Sequence, residues 1–328
     1  MAEFGIGLLG AARITDKAII HPVSVIPQCR LVSIAARDAG RADAFAMQHG
    51  VKTVQASYDA VIADPDVDLV YNPLPINLHA AWTIKALQAG KHVLCEKPFA
   101  MNFEEAKAMV DAAASNDKRL IEAFHYRYHP AFETCLSWLA ADEIGAVREI
   151  HAAFDVQIRD NGTEIRHRVE TGGGAMMDLG CYPLNWALTV LGEAPRSVTA
   201  KATLTPTGVD ETLAADLDFE SGASAHLTTS MAAGAKFRAD LHLIGSKGEI
   251  FFTNPLAPHA GGRLRTSTGR EAEISPISTY THQLAAILKA VQSGAALPTE
   301  GDAILRQQAA LDAVYAAAGL RHLRYLES

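Results

Sequence analysis

Short apolar runs alternate with alanine-rich segments of helical period through the first third of the chain, and this alternation constrains the fold most. Phe4–Leu9, Leu31–Ala35, Asp68–Tyr71, His92–Cys95 and Leu120–Phe124 read as strands. Gly40–His49, Leu78–Gly90 and Asn102–Asn116 read as helices between them. Strand–helix alternation builds right-handed βαβ units, hence a parallel sheet covered on both faces. After residue 124 the period becomes two. Val147–Val156 sets Ile150, Ala152, Phe154 and Val156 against Glu149, His151 and Asp155. Glu211–Phe219 sets Leu213, Ala215, Leu217 and Phe219 against Asp216 and Asp218. Ala223–Ser230 follows the turn at Glu220–Gly222, and Gly245–Gly248 joins Arg238–Ile244 to Glu249–Thr253. Such strands with short turns predict a large, mainly antiparallel sheet with one polar face. Thr281–Leu320 reads as two helices broken at Leu297–Pro298. With 328 residues, more than one ordinary core needs, the expectation is two domains, 1–124 and 125–328.

The bulk numbers exclude several partners. A net charge of −8 argues against nucleic acid, because neutralising phosphates needs a basic face. No apolar run reaches the ~18 residues of a membrane helix, and the first residues lack a basic stretch followed by an apolar one. Cys29, Cys95, Cys135 and Cys181 are widely spaced without a CxxC pair, which predicts free thiols and a reducing, cytoplasmic setting.

"GIGLLGAARI" (Gly5–Ile14) contains G-x-G-x-x-G as Gly5, Gly7 and Gly10. A dinucleotide-binding turn must follow a buried strand and open a helix. Four residues before Gly5 are too few for that strand, so Phe4–Leu9 is the strand and the turn begins at Gly10. The working motif is then Gly10-Ala11-Ala12-Arg13-Ile14-Thr15. Gly10 makes the tight turn, Ala12 stands where backbone meets pyrophosphate, and Thr15 stands where helix packs on strand. Together with the alternation, this predicts an α/β protein: a Rossmann-type doubly wound parallel sheet followed by an α+β domain with a large, mainly antiparallel open sheet.

The ribose is read at the end of the second strand, in Ala35-Ala36-Arg37-Asp38. An NAD enzyme usually puts a carboxylate there. Here Ala36 takes the strand-end position and Arg37 follows. A guanidinium suits a 2′-phosphate, Arg41 is a second candidate, and the expected cofactor is NADP ahead of NAD. The alternatives are that a shift of register makes Asp38 the ribose ligand, or that Arg37 and Arg41 are surface charges. In "AGKHVLCEKPFA" (Ala89–Ala100) a strand runs into Glu96-Lys97-Pro98. Ligands of open α/β sheets bind beyond the carboxyl ends of the strands, which singles out Lys97.

"GKHVLCEKPFA", taken with "GGGAMMDLGCY" (Gly172–Tyr182), resembles the glucose-fructose oxidoreductase and inositol dehydrogenase family, in the branch with D-xylose and dimeric dihydrodiol dehydrogenases. The resemblance spans nearly the whole chain, including "DPDVDLVYNPLP" (Asp64–Pro75) and "EAFHYRYHP" (Glu122–Pro130). It implies hydride transfer between NAD(P) and a sugar, polyol or vicinal diol. It also implies a second domain that binds substrate and self-associates, as homodimer or homotetramer, through its exposed sheet. Glu96 and Lys97 match the family's Glu-Lys-Pro, whose lysine is catalytic and whose bond to proline is often cis. Pro73, Leu74, Pro75 and His79 match a cofactor-contacting loop, with Ile76 where the family often has Asn. Asp178 matches the aspartate of D-x-G-x-H. Tyr182 stands at the histidine and Asn185 at the later aspartate, as in the branch where tyrosine is the acid/base. His125 and Arg127 fall on the stretch that lines the substrate side.

The chemistry needs these residue types. A hydride leaves the alcohol carbon while a base takes the hydroxyl proton. Free tyrosine, with a pKa of ~10, is a poor base at neutral pH. A lysine cation within ~4–6 Å would stabilise the phenolate. Asp178 could orient Lys97 or a substrate hydroxyl. Two rivals are a non-catalytic NADP-binding sensor on the same fold and a metal-dependent hydrolase or aldolase. Glu122, His125 and His129 share a face if helical, but Leu120–Phe124 reads as a strand and Pro130 follows, so no metal site is expected. Arg166-His167-Arg168 reads as solvated charge rather than as a mobile loop at the substrate.

Overall fold

Phe4–Leu9 (β1) lies in the middle of a six-stranded parallel sheet. Its other strands are β2 (Cys29–Ala35), β3 (Thr53–Val54), β4 (Leu69–Asn72), β5 (His92–Cys95) and β6 (Leu120–Glu122). This is a computed structural model, and it describes residues 3–325. The strand order is β3-β2-β1-β4-β5-β6. The chain therefore runs outward from β1 to β3, then crosses back to β4, and the order reverses at β1/β4. Ligands of doubly wound sheets sit at such a reversal.

Alternate residues of each strand feed two cores, because successive side chains point to opposite faces. Leu9, Val32, Val70 and Val93 pack on one side with residues of α3 (Tyr58–Ala63), α4 (His79–Gln88) and α5 (Phe103–Ser115). Ile6, Leu8, Ile34, Leu69 and Leu94 pack on the other with Ala18, Ile19 and Ala46. Those three lie in the π-helical turn Asp16–Ile20, which runs into α1 (His21–Val25), and in α2 (Ala39–His49). The strands read as continuous apolar runs because both faces are covered.

The chain forms two units. The first is Met1–Ala100, Glu104–His125 and Tyr280–Leu305; the second is Met101–Phe103, Tyr126–Thr279 and Arg306–Ser328. The chain thus returns to the first unit after residue 279, which a single continuous domain 125–328 does not contain. The cause is apolar packing: Leu284, Ile287 and Leu288 of the helix Thr279–Ser293 join the core of Ile6 and Leu8.

In the second unit, α6 (Pro130–Ala140) precedes a seven-stranded sheet. Its strands are β7 (Val147–Asp155), β8 (Pro195–Leu204), β9 (Asp210–Phe219), β10 (Ser224–Ser230), β11 (Arg238–Gly245), β12 (Glu249–Thr253) and β13 (Arg263–Thr266). The order is β13-β12-β11-β7-β10-β9-β8, antiparallel except for the parallel pair β7·β10. That pair needs a crossover, and it is supplied by α7 (Cys181–Leu191) with the β8–β9 hairpin. Ile150, Ala152 and Phe154 point inward, and α7 packs on β7 and β10. On the other face His226, His151 and His242 stand in one row across three strands, half-buried. Among the described residues no helix is long and apolar enough to cross a membrane.

Candidate active site

In the first unit, three loops leave the carboxyl ends of β1, β4 and β5, and each is fixed by its own chemistry. At β1, Gly10 adopts φ +91°, a conformation that favours glycine, and its N–H donates to Ala35 O at 2.7 Å. A Cβ there would lie 3.3 Å from Leu74 Cδ2, on the loop that follows β4. Gly5 and Gly7 lie inside the strand, and a Cβ on Gly5 would come 1.9 Å from Asp66 O. The turn glycine is therefore Gly10. Beyond it Ala12 and Ile14 are half-buried, Arg13 is exposed and Thr15 is fully buried. A positive-φ glycine between a buried strand and a helical turn, at the reversal of strand order, fits a dinucleotide's pyrophosphate.

At the end of β2, Ala36 follows the last strand residue and Arg37 is exposed. Asp38 caps α2: its Oδ1 accepts the Arg41 N–H at 3.0 Å. The Arg41 guanidinium turns back to the glycine turn and donates to Ala11 O at 3.0 Å. The Asp38 carboxylate thus has a backbone partner, and a guanidinium lies against the glycine turn.

At the end of β4, Asn72 is buried. Its Nδ2 donates to His79 O and Thr83 Oγ1, and its Oδ1 accepts the Leu74 N–H. Those bonds shape the Pro73–Leu74–Pro75 loop, and Asn72 is a site-forming residue the sequence reading missed. His79 is 1 % exposed, with Nδ1 facing Phe99 O at 3.1 Å and Nε2 facing Leu74 O at 2.7 Å. Burial lowers its pKa from the ordinary imidazole value. Its ring braces two loops, because each ring nitrogen faces a carbonyl.

At the end of β5, the Lys97–Pro98 bond is cis. Glu96 Oε1 accepts the Tyr71 hydroxyl at 2.8 Å, and Oε2 accepts the Lys97 N–H at 3.3 Å. Tyr71 is fully buried, and burial followed by the Glu96 charge pushes its phenol well up. Beside β5, Glu122 ends β6 and is 2 % exposed. Burial pushes its carboxyl well above the usual range, the Glu96 charge adds to this, and Lys97 opposes it. His125 is buried with its ring stacked on Tyr280 at 3.8 Å.

In the second unit, Tyr182 lies in the first turn of α7 and is 4 % exposed. Its ring meets Phe154 edge-on at 5.7 Å and Tyr126 at 6.2 Å. A neutral network fixes that turn. Tyr126 OH donates to Asn185 Oδ1, Asn185 Nδ2 donates to Gln307 Oε1, and Gln307 Nε2 donates to Cys181 O. Asp178 lies in the π-helical turn before α7. Arg166 Nε donates to its Oδ2 at 2.6 Å, and Arg166 Nη1 donates to Glu164 Oε1 at 2.9 Å. The Asp178 carboxylate holds the guanidinium proton more firmly than usual.

Two family models match the chain. One, described as an oxidoreductase family with an NAD-binding Rossmann fold, covers residues 4–124; the other, the GFO/IDH/MocA C-terminal domain, covers residues 132–251. A D-xylose 1-dehydrogenase (NADP(+)) of Haloferax volcanii is 32% identical over 315 residues, 95% of this chain and 96% of its own. The chain belongs to the GFO/IDH/MocA oxidoreductase family. A trans-1,2-dihydrobenzene-1,2-diol dehydrogenase of Xenopus tropicalis is 34% identical over 247 residues, 74% of this chain and 73% of its own. Among solved structures, an aldose-aldose oxidoreductase of Caulobacter crescentus in complex with glycerol superimposes with a TM-score of 0.88 at 25% identity, covering 97% of this chain and 98% of that one. This GFO/IDH/MocA protein is accordingly an NAD(P)-dependent oxidoreductase, and its first unit is the NAD(P)-binding one.

Other residues of this GFO/IDH/MocA chain singled out in the sequence have these surroundings. Arg127 donates to Thr189 Oγ1, and its guanidinium lies 5.6 Å over the Phe132 ring. Arg166 is not solvated charge but the partner of Asp178. His129 caps α6 through Nδ1, while Nε2 faces Ser275 O. Glu122 belongs to a strand and His125 to the turn after it. Among the described residues no group of three His, Cys, Asp or Glu side chains could hold a metal.

Proposed function

We propose that this protein oxidises a hydroxyl of a sugar or related vicinal diol, with NADP preferred to NAD. The observation that carries the reading is Lys97 at the carboxyl end of β5, anchored through Glu96 beside the glycine-turn and Asn72 loops. The sugar and diol substrates named for its relatives support the substrate class. Gly10, Ala12, Arg13 and Ile14 with the Pro73–Pro75 loop would hold the dinucleotide, and Arg37 and Arg41 its 2′-phosphate. The bound nicotinamide supplies the hydride acceptor. The remaining work is protonic. Tyr182 takes the hydroxyl proton, Lys97 supplies the cation that lets a phenol act as base at neutral pH, and Asp178, held by Arg166, accepts from a neighbouring substrate hydroxyl.

The row of half-buried histidines on the outer face of the second sheet supports self-association there, and the four free cysteines support a cytoplasmic setting. The experiment is a turnover screen of aldoses, polyols and diols with both cofactors, on protein whose size is measured in the same buffer. Reduced nicotinamide should form with an aldose or diol, faster with NADP, from a particle larger than the 35.0 kDa chain. Silence with every alcohol in both cofactors would overturn the activity, and a particle of chain mass would overturn the self-association.

A further inference from the structure

We propose, on the reading that Asp178 accepts from a substrate hydroxyl, that Asp210 is a positioning residue for Asp178. Asp210 holds the backbone N–H that opens the turn carrying Asp178, and the last residues of the second unit hold Asp210. Asp210 Oδ2 accepts the Met176 N–H at 2.6 Å, and its Oδ1 accepts the Tyr315 hydroxyl at 2.7 Å. Met176 begins the π-helical turn Met176–Gly180, and Asp178 is two residues on. Tyr315 belongs to the helix Asp302–Ala317. Arg324, beyond that helix, lays its guanidinium 4.5 Å over the Tyr315 ring and donates through Nη2 to Gly173 O at 3.4 Å. Its own carbonyl accepts from Asn102 Nδ2 at 2.9 Å. Asp210, Tyr315 and Arg324 all have 0 % exposure. A carboxylate buried this deeply tolerates little displacement, since losing a donor leaves its charge dry and unpaired.

The glycine run Gly172–Gly174 lets the turn reach Asp210. Gly174 has φ +128°, and a Cβ there would come 2.1 Å from Asp210 Oδ1 and 2.8 Å from the Tyr315 hydroxyl oxygen. The segment just before the run is equally close. Gly173 N–H donates to Arg168 O at 2.8 Å, and Gly174 N–H donates to Arg166 O at 3.0 Å. A Cβ on Gly173 would come 2.5 Å from Arg166 O. Gly174 O in turn accepts the Asp178 N–H at 3.0 Å. Both members of the Arg166–Asp178 ion pair are thus bonded to the backbone of Gly174, Arg166 by its carbonyl and Asp178 by its N–H, and Gly174 lies against Asp210. Loss of the Asp210 carboxylate would release the turn that presents Asp178. Tyr182 has a separate hold further along, in the Gln307 bond to Cys181 O.

The test is a double-mutant cycle on kcat/KM, measured with NADP and the aldose or diol of highest turnover. Asp210→Ala removes the acceptor of the Met176 N–H and should lower kcat/KM about tenfold or more in the parent. In an Asp178→Ala background the same change should cost less than about threefold, because the residue it positions is already gone. Asp210→Asn keeps an oxygen for the Met176 N–H and should recover most of the loss. Equal losses in the two backgrounds would mean a hold on the unit as a whole, and would overturn the proposal alone. So would Asp210→Ala at the parent's rate, or Asp210→Asn no better than Asp210→Ala. No turnover at all, or Asp178→Ala as active as the parent, overturns the reading of Asp178 and the proposal with it. If Asp210→Ala fails to fold, Tyr315→Phe takes its place, since it keeps the ring under Arg324 and removes one donor. Its loss should be about threefold or more in the parent and should vanish in the Asp178→Ala background; equal losses overturn the proposal again.

Discussion

One oxygen atom separates two accounts of Tyr182. As a packed core tyrosine it explains its 4 % exposure and its edge contacts with Phe154 and Tyr126. As the proton acceptor it explains why a neutral amide network fixes the turn of α7 that carries it. Tyr182→Phe removes the oxygen and keeps the ring. If Tyr182 takes the substrate proton, turnover should fall by roughly 10²–10⁴ with the thermal midpoint nearly unchanged. If it is only a core residue, the variant should lose about 1–3 kcal/mol of stability through an unpaired buried partner while keeping its rate. Measuring both on one preparation separates the accounts, and a destabilised variant with normal turnover refutes catalysis. Tyr182 is visible in the sequence because a motif points at it. Glu122 and Arg166 are not. A glutamate at the end of an apolar run gives no sign of burial until β6 lands beside β5. Arg166 sits in a run of three basic residues, and its partner Asp178 lies 12 positions on, beyond any local pattern.

Strands with an apolar face are legible as elements, and edge strands are not. β1, β5 and β12 have the boundaries their residues predict, since each carries a run or alternation of buried side chains. β3 has two residues and no period to detect. β8 and β13 are edges of the second sheet, rich in Arg, Ser, Thr and Lys; β8 has no fully buried side chain, and β13 has four residues, too few to show a period. α7 is hidden for the opposite reason: its first eight residues are all buried, so it has no polar stripe to contrast with an apolar one. The predicted strand Leu120–Phe124 ends at Glu122, where the backbone turns. The β2–α2 junction carries its own prediction. Because the Asp38 carboxylate accepts the Arg41 N–H, position 36 is the place to install a competing charge. Ala36→Asp should weaken NADP binding and favour NAD, since a carboxylate there repels a 2′-phosphate and accepts from a 2′-hydroxyl. Binding titrations of parent and variant check this. A parent that already prefers NAD would return the ribose to Asp38 despite its cap.

At the scale of the whole molecule, a buried carboxyl in the second unit sets an unusual dependence of stability on pH. Asp210, at the start of β9, has 0 % exposure. It accepts from the Met176 N–H at 2.6 Å and from the Tyr315 hydroxyl at 2.7 Å, with Arg324 nearby. Burial outweighs these and a bond from its own backbone N–H, and pushes its pKa from 3.8 up to about 6. A carboxyl raised in the folded state stabilises when protonated. Its contribution is complete below the unfolded value and is lost as pH rises to about 6, the reverse of an ion-paired aspartate. The loss is of order 3 kcal/mol and is complete above that window. Asp210→Asn cannot titrate, so it removes this slope while keeping the shape of the side chain. Relative to the parent, the variant should therefore gain about 1–2 kcal/mol in going from mildly acid to neutral pH, whatever its standing at either end. Thermal midpoints measured for both proteins across that range check the sign. Glu122, Asp155 and Asp312 are also raised by burial and remain in both proteins, so they cancel in the comparison. Two curves that run parallel from acid to neutral pH would mean that Asp210 stays ionised throughout, held by its two donors and Arg324 against the cost of burial.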